Sequence, residues 1–167
     1  MSFHRHFLRP TSHARRIEEI DIDALVRDGV RGLIIDLDNT LVGYRLTQPE
    51  AAVAAWLERA KERGLRAVIV TNNATDWAMQ TAQALHIPCI PNARKPLLRG
   101  FHAALEALGT SHEQTVVIGD QLFTDVLGAK RFGMKVILTE PIVAGEQWWM
   151  RLTRFIERLL SKRAPGA

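Results

Sequence analysis

Five short runs rich in valine and isoleucine alternate with stretches of helical period, and this alternation restricts the fold more than any other feature of the chain. The runs are GLIIDLD (32–38), RAVIVTNN (66–73), IPCIP (87–91), TVVIGD (115–120) and KVILTE (135–140). Each has about the length of a strand buried on both faces, where apolar side chains follow one another without polar alternation. Between them, residues 49–64, 74–86, 96–109 and 125–133 read as helices. Gly64, Gly109 and Gly133 suit helix C-terminal caps, and Pro49 and Pro96 suit first turns. Strand–helix alternation predicts an α/β domain, a parallel sheet with helices on both faces.

The 167 residues suffice for one domain, and an apolar content of 47% permits a proper core. No stretch approaches ~18 uncharged apolar residues, so no membrane-spanning helix is expected. The N-terminus is basic and lacks the apolar run of a secretory signal. The single cysteine, Cys89, can form no internal disulfide and reads as a buried hydrophobe. A reduced, cytoplasmic globular protein is the expectation. The net charge of +4 is unevenly spread: residues 1–16 carry +4, residues 151–167 carry +4, and the middle carries −4. Basic ends of this kind attract anionic surfaces or simply stay solvated. The organisation expected is a basic N-terminal segment (1–16), a core (17–144) and a basic amphipathic helix and tail (145–167). His4, His6 and His13 read as solvated.

In a parallel sheet the ligand sits beyond the carboxyl ends of the strands, and polar residues collect there. The first run ends in Asp36-Leu37-Asp38-Asn39-Thr40 and the second in Thr71-Asn72-Asn73. Lys95 follows the third run, and Asp120, with Asp125 five residues on, follows the fourth. Carboxylates so gathered repel unless a cation sits among them. An all-oxygen set with few protein ligands favours Mg2+, which keeps waters and a substrate phosphate in its shell. Lys95 supplies a point charge for a phosphate, and Thr71 and backbone N–H groups supply donors. A carboxylate can act as nucleophile through an aspartyl-phosphate, and a second one two residues on can serve as acid and base. These residues alone therefore reach metal-assisted phosphoryl transfer.

The pattern D-x-D-x-T at Asp36, Asp38 and Thr40, with Thr71, Lys95 and Gly119-Asp120 followed by Asp125, resembles the four motifs of the haloacid dehalogenase (HAD) superfamily in order. At finer grain, IIDLDNTLV, VTNN, ARKP and GDQLFTDVLGAKRFG resemble the YqeG-like phosphatases of HAD subfamily IIIA, over roughly residues 10–160. The resemblance implies a HAD-type Rossmann-like parallel five-stranded sheet, order 3-2-1-4-5 in the sequence numbering of the runs. It implies Asp36 as nucleophile and Mg2+ ligand, and Asp38 as general acid/base and a backbone ligand to Mg2+. Thr71 and the Asn72 backbone would hold the phosphoryl group, and Lys95 would neutralise it and pin Asp36. Asp120 would be the remaining metal ligand, Asp125 would orient Lys95 or a metal-bound water, and Thr40 would shape the turn after the nucleophile.

About ten residues separate Asp38 from Pro49, and Thr71 and Lys95 stand 24 positions apart, which leaves no room for the cap domain of many HAD enzymes. An uncapped site stays open to bulky substrates, unless oligomerisation covers it. Relatives that act on phosphatidylglycerophosphate imply a lipid phosphate as substrate. On a C-terminal helix, Trp148, Leu152, Phe155, Ile156, Leu159 and Leu160 form an apolar stripe beside Arg151, Arg154, Arg158 and Lys162. Such a helix either packs on the sheet or lies at the inner face of the membrane as a peripheral contact. Two rivals stand beside this reading. One is a phosphatase for soluble sugar or nucleotide phosphates; the other is a basic RNA- or ribosome-binding module with vestigial catalysis. The intact motifs disfavour nucleic acid as partner.

Overall fold

The structure is a computed structural model that describes residues 7–43, 46 and 48–142. Six parallel strands form one sheet: β1 (Ser12–Ala14), β2 (Gly32–Ile35), β3 (Arg66–Val70), β4 (Cys89–Ile90), β5 (Thr115–Gly119) and β6 (Lys135–Thr139), in the order β1-β6-β5-β2-β3-β4. The five expected strands are β2 to β6, and they lie in the expected order. The sixth, β1, corrects the count. Its sequence, Ser-His-Ala, offers no apolar run, and hydrogen bonds of the backbone and of the Thr11 hydroxyl place it instead. The Thr11 N–H donates to the Val136 carbonyl at 2.8 Å, and the Thr11 hydroxyl accepts from the Val136 N–H at 3.0 Å. His13 therefore belongs to an edge strand of the sheet. His4, His6 and the whole apolar stripe from Trp148 onward lie outside the described residues.

The helices are α1 (Ile22–Arg27), α2 (Ala51–Glu62), α3 (Asp76–Ala84), α4 (Leu98–Leu108) and α5 (Leu127–Arg131), with a 3-10 turn at Ile17–Glu19 and a π-helical turn at Leu122–Val126. Pro49 and Pro96 each stand two residues ahead of the first residue of α2 and α4, outside the first turn. Gly109 ends α4 at φ 60°, a left-handed conformation that costs a residue with Cβ.

Successive residues of a strand face opposite sides of the sheet, so the central strands feed two cores. Leu33, Ile35, Ile69, Val116 and Ile118 pack with Ile17, Ile22, Trp56, Leu57, Ala78 and Ala82, under α1, α2 and α3. Ile34, Val68, Val70 and Val117 pack with Phe101, Ala104, Leu108 and Ala129, under α4 and α5. Trp56 is buried, and its indole N–H donates to the Ile20 carbonyl at 2.8 Å. Trp77 is half-buried and donates to the Leu46 carbonyl at 3.1 Å, so both rings belong to the scaffold. Cys89 is half-buried on the edge strand β4, and burial pushes its thiol up to about 11. It is a neutral thiol near pH 7.

The contact between α4 and α5 leaves no room for a side chain at Gly128. A Cβ there would stand 2.4 Å from the ring of Phe101, which is itself wholly buried. Gly128→Ala is therefore expected to destabilise the protein by about 1–3 kcal/mol through overpacking. Chemical denaturation measures it; an unchanged midpoint would show that the two helices slide apart freely.

Candidate functional site

Every loop that leaves a carboxyl end of the central strands contributes to one buried polar cluster. Asp36, Asp38, Thr40, Thr71, Lys95, Asp120 and Asp125 are each no more than 6% exposed, which places the charged groups beneath the surface. Burial at this depth is tolerated only where charges are paired or hold an ion.

The first segment begins where β2 runs out. The Asp36 N–H still donates to the Ile118 carbonyl of β5 at 2.9 Å. The chain then turns back on itself through Asn39 at φ 62°, with the Asn39 N–H on the Val42 carbonyl at 2.8 Å. Asparagine tolerates this left-handed conformation better than most residues. The turn keeps the Thr40 hydroxyl buried with no hydrogen-bond partner among the described residues, as is one oxygen of Asp36, Oδ2.

Lys95 comes from the loop between β4 and α4. Its Nζ donates to Asp36 Oδ1 at 2.5 Å and to Asp125 Oδ1 at 2.6 Å. Its backbone is clamped by one side chain: the Lys95 N–H donates to Asn72 Oδ1 at 2.6 Å, and Asn72 Nδ2 donates to the Lys95 carbonyl at 3.2 Å. Sequence reasoning assigned Asn72 only a backbone role. The clamp spans 23 residues of chain, and no local pattern signals it. Thr71 directly follows β3, donates its hydroxyl to Asp38 Oδ2 at 3.3 Å, and accepts the Asn73 N–H at 3.0 Å.

Asp120 follows β5, and Asp125 sits in the π-helical turn. The Gln121 N–H donates to Asp125 Oδ2 at 3.2 Å. Gly119 makes this possible, because a Cβ there would stand 2.4 Å from the Asp125 carboxyl group. Gly119→Ala is thus expected to displace Asp125 and, through it, the Lys95 ammonium, lowering kcat by about 10²-fold. Steady-state kinetics with a folded variant checks this; wild-type turnover would show that Asp125 need not stand where it does.

Burial is the largest influence on Lys95 and opposes its charge, but Asp125 and Asp36 together outweigh it and hold its pKa above the ordinary lysine value. Burial pushes Asp125 up to about 6 against the pull of Lys95, with the Asp36 charge adding to the rise. One ammonium thus serves two carboxylates, with a third acid close by. Asp36, Asp120 and Asp125 each offer an oxygen within 4.8 Å of the others. The Asp36 oxygen without a partner and the all-oxygen donor set fit a hard divalent cation such as Mg2+. Asp38 lies beside this trio and turns its carboxylate to Thr71. Between Asp38 and α2, and between Thr71 and Lys95, the described residues hold only loops, α3 and β4, with no inserted domain.

A doubly wound sheet with an acid–lysine cluster at its carboxyl edge defines an α/β domain equipped for cation and phosphate chemistry. Comparison with known proteins agrees. The family model for haloacid dehalogenase-like hydrolases matches residues 48–133. The chain is 37% identical to the probable phosphatase YqeG of Bacillus subtilis, over 91% of this chain and 88% of that one. It is 28% identical to phosphatidylglycerophosphate phosphatase 1, chloroplastic/mitochondrial, of Arabidopsis thaliana, over 95% of this chain but 49% of that longer protein. Among solved structures, 4-nitrophenylphosphatase from Thermotoga maritima shares the fold at a TM-score of 0.60 and 14% identity, covering 75% of this chain and 92% of that one. The chain belongs to the haloacid dehalogenase-like hydrolases, and it is a phosphatase.

Proposed function

We propose that the protein hydrolyses a phosphomonoester through an aspartyl-phosphate, with Mg2+ as cofactor and a lipid phosphate of the phosphatidylglycerophosphate type as substrate. The observation that carries the mechanism is Lys95 Nζ lying between Asp36 and Asp125, at 2.5 and 2.6 Å, beside Asp120. Asp36 is the nucleophile: a carboxylate oxygen forms a bond to phosphorus as the bond to the leaving alcohol oxygen breaks. Asp38, as general acid, gives that oxygen its proton. It then takes a proton from water, whose oxygen attacks phosphorus and releases the Asp36 carboxylate and inorganic phosphate. Thr71 and the Asn72 N–H hold the phosphoryl oxygens, and Lys95 neutralises their charge. Asp36, the Asp38 carbonyl and Asp120 would hold Mg2+, which supplies charge neutralisation for the transferring group. Asp125 fixes the position of Lys95, and Thr40 belongs to the turn that presents Asp36.

The lipid reading is supported by the name of the Arabidopsis relative and by the distribution of exposed apolar side chains. Leu46, Leu97, Leu122 and Phe123 are exposed, and they follow β2, β4 and β5 on the same carboxyl edge as the acids. Apolar groups around an uncapped mouth suit a substrate presented at a membrane surface on the cytoplasmic side. No helix among the described residues is long and apolar enough to cross a membrane.

The test is phosphate release from phosphatidylglycerophosphate and from soluble phosphomonoesters, with and without added Mg2+. Release from the lipid that disappears on chelation and returns with Mg2+ is the expected result. Activity that survives exhaustive chelation would remove the cofactor from the reading. Turnover of soluble esters alone would replace the substrate.

A further inference from the structure

The loop that carries Lys95 also walls a cavity that the mechanism does not use. The cavity measures about 520 Å³ and is lined by Ile90, Arg94, Leu97, Arg99 and Ala103, together with the backbone between them. We propose that this cavity is a subsite for a second phosphate ester on the same substrate, with Arg94 and Arg99 as the residues that select it. The proposal rests on the phosphomonoesterase reading and extends it to the part of the substrate that does not react.

Three observations carry it. First, the two guanidinium groups are uncommitted. Arg94 and Arg99 are exposed and, like Arg59 and Arg131, have no side-chain ion-pair or hydrogen-bond partner among the described residues; unlike those two, they line one concavity. Two cations left unpaired in one concavity raise its potential and attract an anion. The planar guanidinium fork matches phosphate oxygens in a way an ammonium does not.

Second, the loop is held in place. The Asn72 clamp fixes the Lys95 backbone, the Ala93 N–H donates to the Thr71 carbonyl at 3.0 Å, and the Leu97 N–H donates to the Arg94 carbonyl at 2.9 Å. At Gly100, the third residue of α4, a Cβ would meet the Ala93 Cβ at 2.8 Å, so loop and helix touch closely. Arg94 itself sits at φ 54°, a left-handed conformation that is unfavourable for a residue with a Cβ. Such strain persists where neighbouring contacts over-determine it. The cavity is thus largely preformed, and little ordering energy is spent on binding.

Third, position couples it to the reaction. Arg94 and Lys95 are adjacent, with Cα atoms about 3.8 Å apart. Lys95 turns to the reacting carboxylate while Arg94 lines the cavity. None of the reacting side chains lines the cavity, so the substrate would have to extend from the Lys95 side of this loop to the Arg94 side. Leu97, Ile90 and Ala103 offer apolar wall to carbon next to the second ester. Either a lipid headgroup or a soluble bisphosphate has this chemistry.

The experiment compares kcat/KM for matched pairs of substrates. Phosphatidylglycerophosphate in mixed micelles and fructose bisphosphate carry the second phosphate; 4-nitrophenyl phosphate and fructose monophosphate lack it. The readout is the preference for two phosphates over one, in the wild type, Arg94→Gln, Arg99→Gln and the double variant. The preference is expected to fall about tenfold or more for each guanidinium removed, chiefly through KM. Arg131→Gln, which removes an exposed arginine of α5, should leave it unchanged. A double variant with wild-type preference overturns the subsite, and continued cleavage of the lipid in that protein leaves the lipid reading standing. An arginine-dependent preference among the soluble pair with no cleavage of the lipid does the reverse. An equal loss in Arg131→Gln would reduce the effect to general surface charge and also overturn the subsite, as would a wild type with no preference at all.

Discussion

Lys95→Met is expected to abolish turnover and to cost the protein about 3–5 kcal/mol, the usual penalty for removing one partner of a buried ion pair. Methionine fills the volume of the lysine stem but leaves Asp36 and Asp125 facing each other, at 4% and 1% exposure, without the ammonium between them. The deficit should depend on pH. Asp125 has its pKa raised to about 6 even beside Lys95. In the metal-free protein, such a carboxyl is accommodated best below its unfolded value of about 3.9, and its contribution is lost as pH rises through about 6. Without Lys95 the rise is steeper, so the stability gap between variant and wild type should be smallest near pH 4 and largest near pH 7. Denaturant titrations across this range measure it. A variant as stable as the wild type at pH 7 would mean that the two carboxylates do not need their shared counter-charge.

Asp36→Asn should separate chemistry from folding. The amide keeps an oxygen able to accept from Lys95 Nζ and preserves the shape of the side chain, so the fold is expected to survive. Turnover is expected to fall by at least about 10⁴-fold, since removal of a covalent nucleophile leaves only binding and charge stabilisation. Acid-quenched reactions with radiolabelled substrate should trap a phosphorylated wild type and no phosphorylated variant. Persistent labelling of the Asp36→Asn variant would assign the nucleophile elsewhere. The two substitutions are also distinguishable from each other: Lys95→Met strikes both stability and rate, Asp36→Asn chiefly the rate.

The strands of the sheet interior were legible because burial on both faces leaves an uninterrupted apolar run, as in Gly32–Ile35 and Thr115–Gly119. β1 was not, because three residues at an edge are held through backbone atoms that every residue shares. Asp36, Asp38 and Asp120 stand out in the sequence because they close such runs, whereas Lys95 lies four residues past the third run and Asp125 five past Asp120. The Asn72 clamp and the room that Gly119 leaves for Asp125 are long-range or steric relations without a local signature. The uncommitted state of Arg94 and Arg99 is also invisible in one dimension, since a charged residue in a loop looks the same whether or not an acid lies opposite.

Residue order alone dictates the class of fold and the residue types available at the sheet edge, because hydrophobic period and strand-end polarity are written residue by residue; the order of the five strands came from the resemblance of the motifs to a known family. Which carboxylates share Lys95, which loop is clamped and where a basic cavity opens follow from the folded chain alone. Those depend on distances between segments that lie tens of residues apart in the chain, and such distances are fixed when the sheet assembles.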